Sequence, residues 1–158
     1  MIPGEVNLPE ELDARGPHGW DMSNPAICQS EGWRDEMCSE AVALATGSGT
    51  DSATQELTMR VIAFRNEATA QALFKGQGTP DEVGPKPPGD QIDGYELPTE
   101  GGWTGKGFNA RQGSAIIRVE YAWKKGTEVP GRLMDATRVV IERLQQAQNG
   151  KNPTASLR

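Results

Sequence analysis

From Ala115 to Lys124 the chain alternates with a period of two, and this constrains the fold more than any other feature. Ala115, Ile117, Val119, Tyr121 and Trp123 are apolar or aromatic, and Arg118, Glu120 and Lys124 stand between them. In a β-strand that spacing sends the two sets to opposite faces. One face is then buried and the other wet, which is the habit of antiparallel sheets, whereas parallel strands are covered on both sides. Residues 106–111 read as the partner strand, with a hairpin turn at Gln112-Gly113.

The same logic extends backwards. Leu57, Met59, Val61 and Ala63 share one face of a strand over residues 54–64, and Thr58 and Arg60 share the other. A second run, 39–46, precedes it across GSGTDS, where Gly47, Ser48, Gly49 and Asp51 are residues that favour a hairpin turn. QIDGYELP reads as a short edge strand. Pro80, Pro85, Pro87 and Pro88 make the stretch before it a loop, since proline cannot pair in a central strand.

Two helices punctuate the strands. Asn66 is placed to cap one that carries Ala70, Leu73 and Phe74 on a stripe and stops at Gly76. Pro130 opens the other, which runs to about residue 148. Leu133, Thr137, Val140, Leu144 and Ala147 follow its face, and Asn149-Gly150 and Pro153 stop it. The expected class is α+β: a single antiparallel sheet with helices packed on one face, in the order β-β-α-β-β-β-α. Residues 1–27 are expected as an extended N-terminal arm, with one helical turn at PEELDA. Residues 28–150 are expected as the domain, and 151–158 as a flexible tail.

Composition limits the partners. Apolar residues other than Gly are 35% of the chain, and 19 Gly with 11 Pro point to many turns around a modest core. The net charge of −6 gives no electrostatic footprint for nucleic acid. No apolar run reaches the roughly 18–20 residues of a transmembrane helix, and the first residues lack the basic and apolar regions of a signal peptide. A leader or lipid anchor belongs, if anywhere, to a native precursor.

Cys28 and Cys38 lie ten residues apart in ICQSEGWRDEMC. A metal site needs about four ligands, and His18 is the sole histidine. Two free buried thiols remain an alternative. The favoured reading is a disulfide closing an exposed polar loop, which implies an oxidising, extracytoplasmic compartment.

No catalytic constellation stands out, and no cofactor or metal is expected. GSGT and TGKGF lack the Gly-Lys-Ser/Thr and following helix of a phosphate loop and read as hairpin turns. The acids Asp35, Glu36, Glu40, Asp81, Glu82, Asp90, Asp93 and Glu96 read as solvated loop residues. Of the four Trp, Trp123 reads as core, and Trp20 packs the arm onto the domain. Trp33 lies inside the cysteine loop. Trp103 lies in GGWTGKG beside Lys106. Trp33, Trp103 and Lys106 are the candidate ligand- or partner-binding residues, because an exposed Trp can stack on a ring or anchor a partner.

Several segments carry a resemblance. They are a Trp followed by the Cys pair, a hairpin, a strand ending Ala63-Phe64, the NEATA helix start, the Arg-x-Gly of the late hairpin, and the ending QQAQNGKNPTASL. Over roughly residues 20–150 this is similar to secreted lipoproteins and PknH-type extracellular sensor domains of actinobacteria. Cys28, Cys38, Phe64, Gly113 and the last helix are the points that align. The resemblance implies an antiparallel sheet with helices, a cleft, and binding of a ligand or partner outside the membrane without catalysis. Such domains usually carry more than one disulfide, whereas this chain can form one.

The expected function is therefore a non-enzymatic, extracytoplasmic ligand-binding or sensor-like domain whose partner is a small polar ligand or a protein. The alternatives are a protein-interaction module, such as an inhibitor or assembly factor, and a hydrolase with a carboxylate pair.

Overall fold

The computed structural model describes residues 1–4, 7–22, 24–51, 53–75 and 86–157. Six antiparallel strands form one sheet in the order β1-β2-β3-β6-β5-β4. They are β1 (Asp13–Asp21), β2 (Ala41–Thr50), β3 (Gln55–Phe64), β4 (Gln91–Glu100), β5 (Trp103–Gln112) and β6 (Ala115–Lys124). The helices are α1 (Pro25–Ser30), α2 (Asp35–Glu40), α3 (Glu67–Leu73) and α4 (Arg132–Gln148). The antiparallel α+β class read from the strand periodicity is the one observed, and the order ββαβββα runs from β2 to α4. The chain adds β1, α1 and α2 in front of it.

The alternation in β3 and β6 divides the core in two. Leu57, Met59, Val61, Ile117, Val119, Tyr121 and Trp123 point to the inner face, where they meet Leu133, Val140, Ile141 and Leu144 of α4. Ile62, Phe64 and Ile116 point to the outer face and form a smaller core with Cys28, Trp33, Met37, Cys38 and Ala70. The long helix thus covers one face, while α1, α2 and α3 pack on one end of the other.

The glycines expected to turn the β2–β3 hairpin lie inside β2 instead. A Cβ on Gly47 would stand 2.7 Å from Ile2, and one on Gly49 would stand 3.0 Å from Leu8 and 3.2 Å from Leu12. Their missing side chains let the N-terminal segment seat Ile2, Leu8 and Leu12 in the inner core. The turn falls later, at Asp51. Its carboxylate accepts hydrogen bonds from the backbone N–H groups of Ala53 (3.1 Å), Thr54 (2.7 Å) and Gln55 (2.7 Å).

The TGKGF stretch also differs from its reading as a hairpin turn: β5 begins at Trp103 and includes Gly105 and Gly107. A Cβ on Gly107 would lie 2.3 Å from the Tyr95 ring, and one on Gly105 2.8 Å from Leu97. Gly107 thus lets the Tyr95 ring of β4 lie flat on the next strand, and Gly105 makes room for Leu97 and for the β6 backbone, whose Tyr121 O would lie 2.6 Å from its Cβ. The extended arm expected over residues 1–27 contains β1, an edge strand paired along β2 from Asp13↔Thr50 to Asp21↔Ala43. Residues 151–157, expected as a flexible tail, turn back along α4. There Thr154 N–H donates to Gln146 Oε1 (2.8 Å) and Leu157 N–H to Asn7 O (2.8 Å). The Gly76 stop of α3, the prolines at 80 and 85, and the acids at 81 and 82 lie outside the described residues.

Candidate functional site

A polar groove crosses the outer face of the sheet. Its floor follows from strand register. Tyr95↔Gly107 and Gly107↔Glu120 bring the Tyr95 ring across the empty Gly107 position toward β6. The Tyr95 hydroxyl donates to Glu120 Oε1 at 2.8 Å, and Arg60 Nη1 donates to Glu120 Oε2 at 3.1 Å. Arg60 Nε is buried without a hydrogen-bond partner among the described residues and lies 3.7 Å from Glu31. Burial, and then the adjoining Glu120 carboxylate, push the Tyr95 phenol well above its usual pKa. Tyr95 is therefore a protonated donor at every physiological pH.

One register step along β6, Arg118 faces Asn109. Its Nε donates to Asn109 Oδ1 at 3.3 Å, and its Nη1 donates to Gly32 O at 3.1 Å. Its guanidinium carbon sits 4.7 Å from the centre of the Trp33 ring. Three neutral groups thus hold this cation. Arg118 and Asn109 line two adjoining hollows. One, of about 140 Å³, continues past Trp33, Met37, Leu73 and Phe74. The other, of about 210 Å³, continues to Tyr95 and Glu120.

The wall is built by α1 and α2. Asn24 caps α1 by accepting from Ala26 N–H (3.1 Å), with Pro25 at the first helical position. α2 starts with Asp35 and Glu36, the charge a helix N-terminus favours. Each helix is only six residues long. Helices so short do not stand alone. The Cys28–Cys38 disulfide ties them together with their Cα atoms 5.7 Å apart. The pairing is the one expected, but its surroundings differ. Cys28 is 0% and Cys38 5% exposed, and Trp33 between them is 4% exposed, because this segment caps the outer core. It is no exposed loop.

The three candidate residues are not brought together. Trp33 lines the groove. Trp103 lies on the same face as the groove at the far end of β5, half-buried, with Lys124 Nζ 5.8 Å from its ring centre. Lys106 follows Trp103 by three positions on a strand and so faces the opposite side. It lies 3.8 Å from Glu96 and lines a separate inner-face hollow of about 200 Å³ with Phe108, Trp123 and Met134. Sequence reasoning missed Arg118, Asn109, Tyr95 and Glu120. Arg118 and Glu120 were visible as wet-face residues of β6, but nothing local singled them out.

Among the described residues no group of three or more His, Cys, Asp or Glu could hold a metal ion. Among the described residues the carboxyl groups with displaced pKa values, Glu11 and Asp51, are both lowered. Glu11 is held down by its hydrogen bond from Arg132, and Asp51 by Thr54, first through the hydroxyl and then through the backbone N–H. Neither lines any of these three hollows. In DQIDG, Asp90 accepts from Arg111 Nη1 (3.2 Å) and Gly113 N–H (2.8 Å). No helix among the described residues is long and apolar enough to cross a membrane.

This architecture has a solved counterpart. The extracellular domain of PknH from Mycobacterium tuberculosis superposes with a TM-score of 0.54, covering 85% of each chain at 12% sequence identity. At that identity the likeness is one of fold. The sequence matches no protein-family profile and no curated protein.

Proposed function

We propose that this chain is a non-enzymatic, extracytoplasmic ligand-binding or sensor-like domain whose ligand is small and polar and sits in the outer-face groove. The observation that carries the reading is the floor, where Tyr95, Glu120, Arg60, Arg118 and Asn109 are locked by one another before any ligand arrives. A preformed polar floor beside apolar walls is what small-molecule sites have in common. Docking of a protein on a flat apolar patch gains less support, since Met1 and Val42 are the large exposed hydrophobics among the described residues. Of the candidate residues, Trp33 serves the groove directly. Trp103 extends the same face, and Lys106 belongs to the inner-face hollow.

The extracytoplasmic assignment rests on the disulfide and on the fold shared with a domain described as extracellular. A secreted or lipid-anchored actinobacterial origin is part of the same proposal. Two free thiols in protein taken from its native cells would overturn the compartment.

The site itself is tested by amide and Trp indole NMR shifts of the full chain during titration with a set of small polar molecules. Perturbations clustered at residues 31–37, 73–74, 109 and 116–120 are expected. Perturbations elsewhere, or none, would remove the groove as the site.

A further inference from the structure

We infer that the groove takes an amphipathic monoanion, with its anionic head on Arg118 and its apolar part against Trp33, Met37, Leu73 and Phe74. The inference rests on the groove being the site and adds the ligand's chemistry.

Charge is the first argument. Arg34 pairs with Glu36 at 2.9 Å, and Lys75 approaches the same carboxylate at 3.8 Å. Arg60 has Glu120 at 3.1 Å and Glu31 at 3.7 Å. Around the groove four cationic side chains therefore meet three carboxylates, and the cation left over is Arg118. Among the described residues it has no carboxylate within salt-bridge distance, in a chain whose net charge is −6. A half-buried guanidinium in an acidic protein would normally find an acid. This one is held by an amide oxygen, a backbone carbonyl and an aromatic face.

Geometry is the second argument. Those contacts use Nε and Nη1, and Nη2 makes no hydrogen bond among the described residues. Arg118 lines both hollows, so an anion on it lies where they join. Guanidinium recognises carboxylate and phosphate through the same planar donors, and the bond is strong because it is charge-assisted. A single unpaired cation matches a single negative charge.

Shape is the third argument. The hollow that leads away from Arg118 is lined by Trp33, Met37, Leu73, Phe74 and Ile116 together with the paired cations Arg34 and Lys75, and Trp33, Met37 and Ile116 are buried. At about 140 Å³ it is smaller than the roughly 300–1,000 Å³ of drug-sized sites, so the apolar part is a short chain or one ring.

The experiment uses the full chain and five probes: hexanoate, hexyl phosphate, hexanol, hexylamine and acetate, each titrated against amide and indole shifts. The expected result is that hexanoate or hexyl phosphate binds in the groove about tenfold or more tightly than hexanol, hexylamine or acetate. The better of the two anions identifies the head. Arg118→Gln should abolish that preference, and Arg118→Lys, which keeps a cation beside Trp33 but loses the planar donors to Asn109 and Gly32, should keep part of it. Equal binding of hexanol, or tighter binding of hexylamine, at groove residues overturns the anion and leaves the groove standing. Shifts only around Lys106 and Trp123, or none with any probe, overturn both.

Discussion

Gly107 has no room for a side chain, and the consequence is specific. Its missing Cβ is the seat of the Tyr95 ring, with ring atoms 2.3–2.6 Å from where that carbon would be. Gly107→Ala should push Tyr95 off Glu120 and cost about 1–3 kcal/mol, the usual penalty of overpacking. In a Tyr95→Ala background the same substitution should cost little. Urea denaturation of the two single variants and the double variant checks this, and additive losses would contradict it. Asp51 gives a prediction in pH. Thr54, Gln55 and Ala53 hydrogen bonds hold its carboxyl down to about 2, from 3.8. A depressed folded pKa adds stability above the unfolded value and withdraws it as pH falls through the folded one. Between about pH 4 and 2, Asp51→Asn should therefore flatten the fall in stability that the parent chain shows. Identical acid limbs would show that the turn contributes nothing through this charge.

The elements differ in how far they stand on local sequence. β3, β6 and α4 were legible because long periodic stripes leave one solution for their burial. Leu144 lies on that stripe and is 2% exposed, so Leu144→Ala should cost about 2–5 kcal/mol in chemical denaturation. α1 and α2 were not legible, because six residues hold no readable stripe. Both depend on tertiary partners, namely the disulfide and the outer core. Gly47, Gly49, Gly105 and Gly107 misled for a related reason. Glycine marks turns and close approaches alike, and only the facing side chain tells them apart. Arg118 was hidden most completely, since its defining contacts reach Gly32, 86 residues away, and Trp33. The Cys28→Ser/Cys38→Ser variant should lose about 2–3 kcal/mol, as expected for a short closed loop. It should lose hydrogen-exchange protection over residues 24–41 while α4 keeps its own. β1 should also persist, because its ladder with β2 and the inner-core seats of Ile2, Leu8 and Leu12 do not pass through the cysteines. Uniform loss of protection would contradict this division.

At the scale of the whole molecule, one sheet separates two jobs: the inner face supplies most of the core, and the outer face supplies the groove. The chain ends are fastened on the inner side. Arg143 of α4 donates through Nε to Met1 O (3.2 Å) and through Nη1 to Ala155 O (2.9 Å). Leu157 bonds to Asn7 O and packs on the inner core, half-buried. Arg143 itself is partly desolvated, which lowers its pKa. Both termini thus close over the end of α4, and the last residues act as a clasp. Deleting residues 151–158 removes Leu157 from the core and leaves the Asn7 carbonyl and part of the Arg143 guanidinium unpaired. The loss should be about 1–3 kcal/mol, from one half-buried aliphatic side chain and a few partly exposed hydrogen bonds. Thermal or urea unfolding would register it as a lower midpoint with a similar slope. Groove residues 109 and 116–120 should keep their chemical shifts, since the sheet lies between them and the clasp. An unchanged midpoint would mean that the tail frays in solution. Shifted groove resonances would mean that the two faces are coupled through the sheet more tightly than their separate cores suggest.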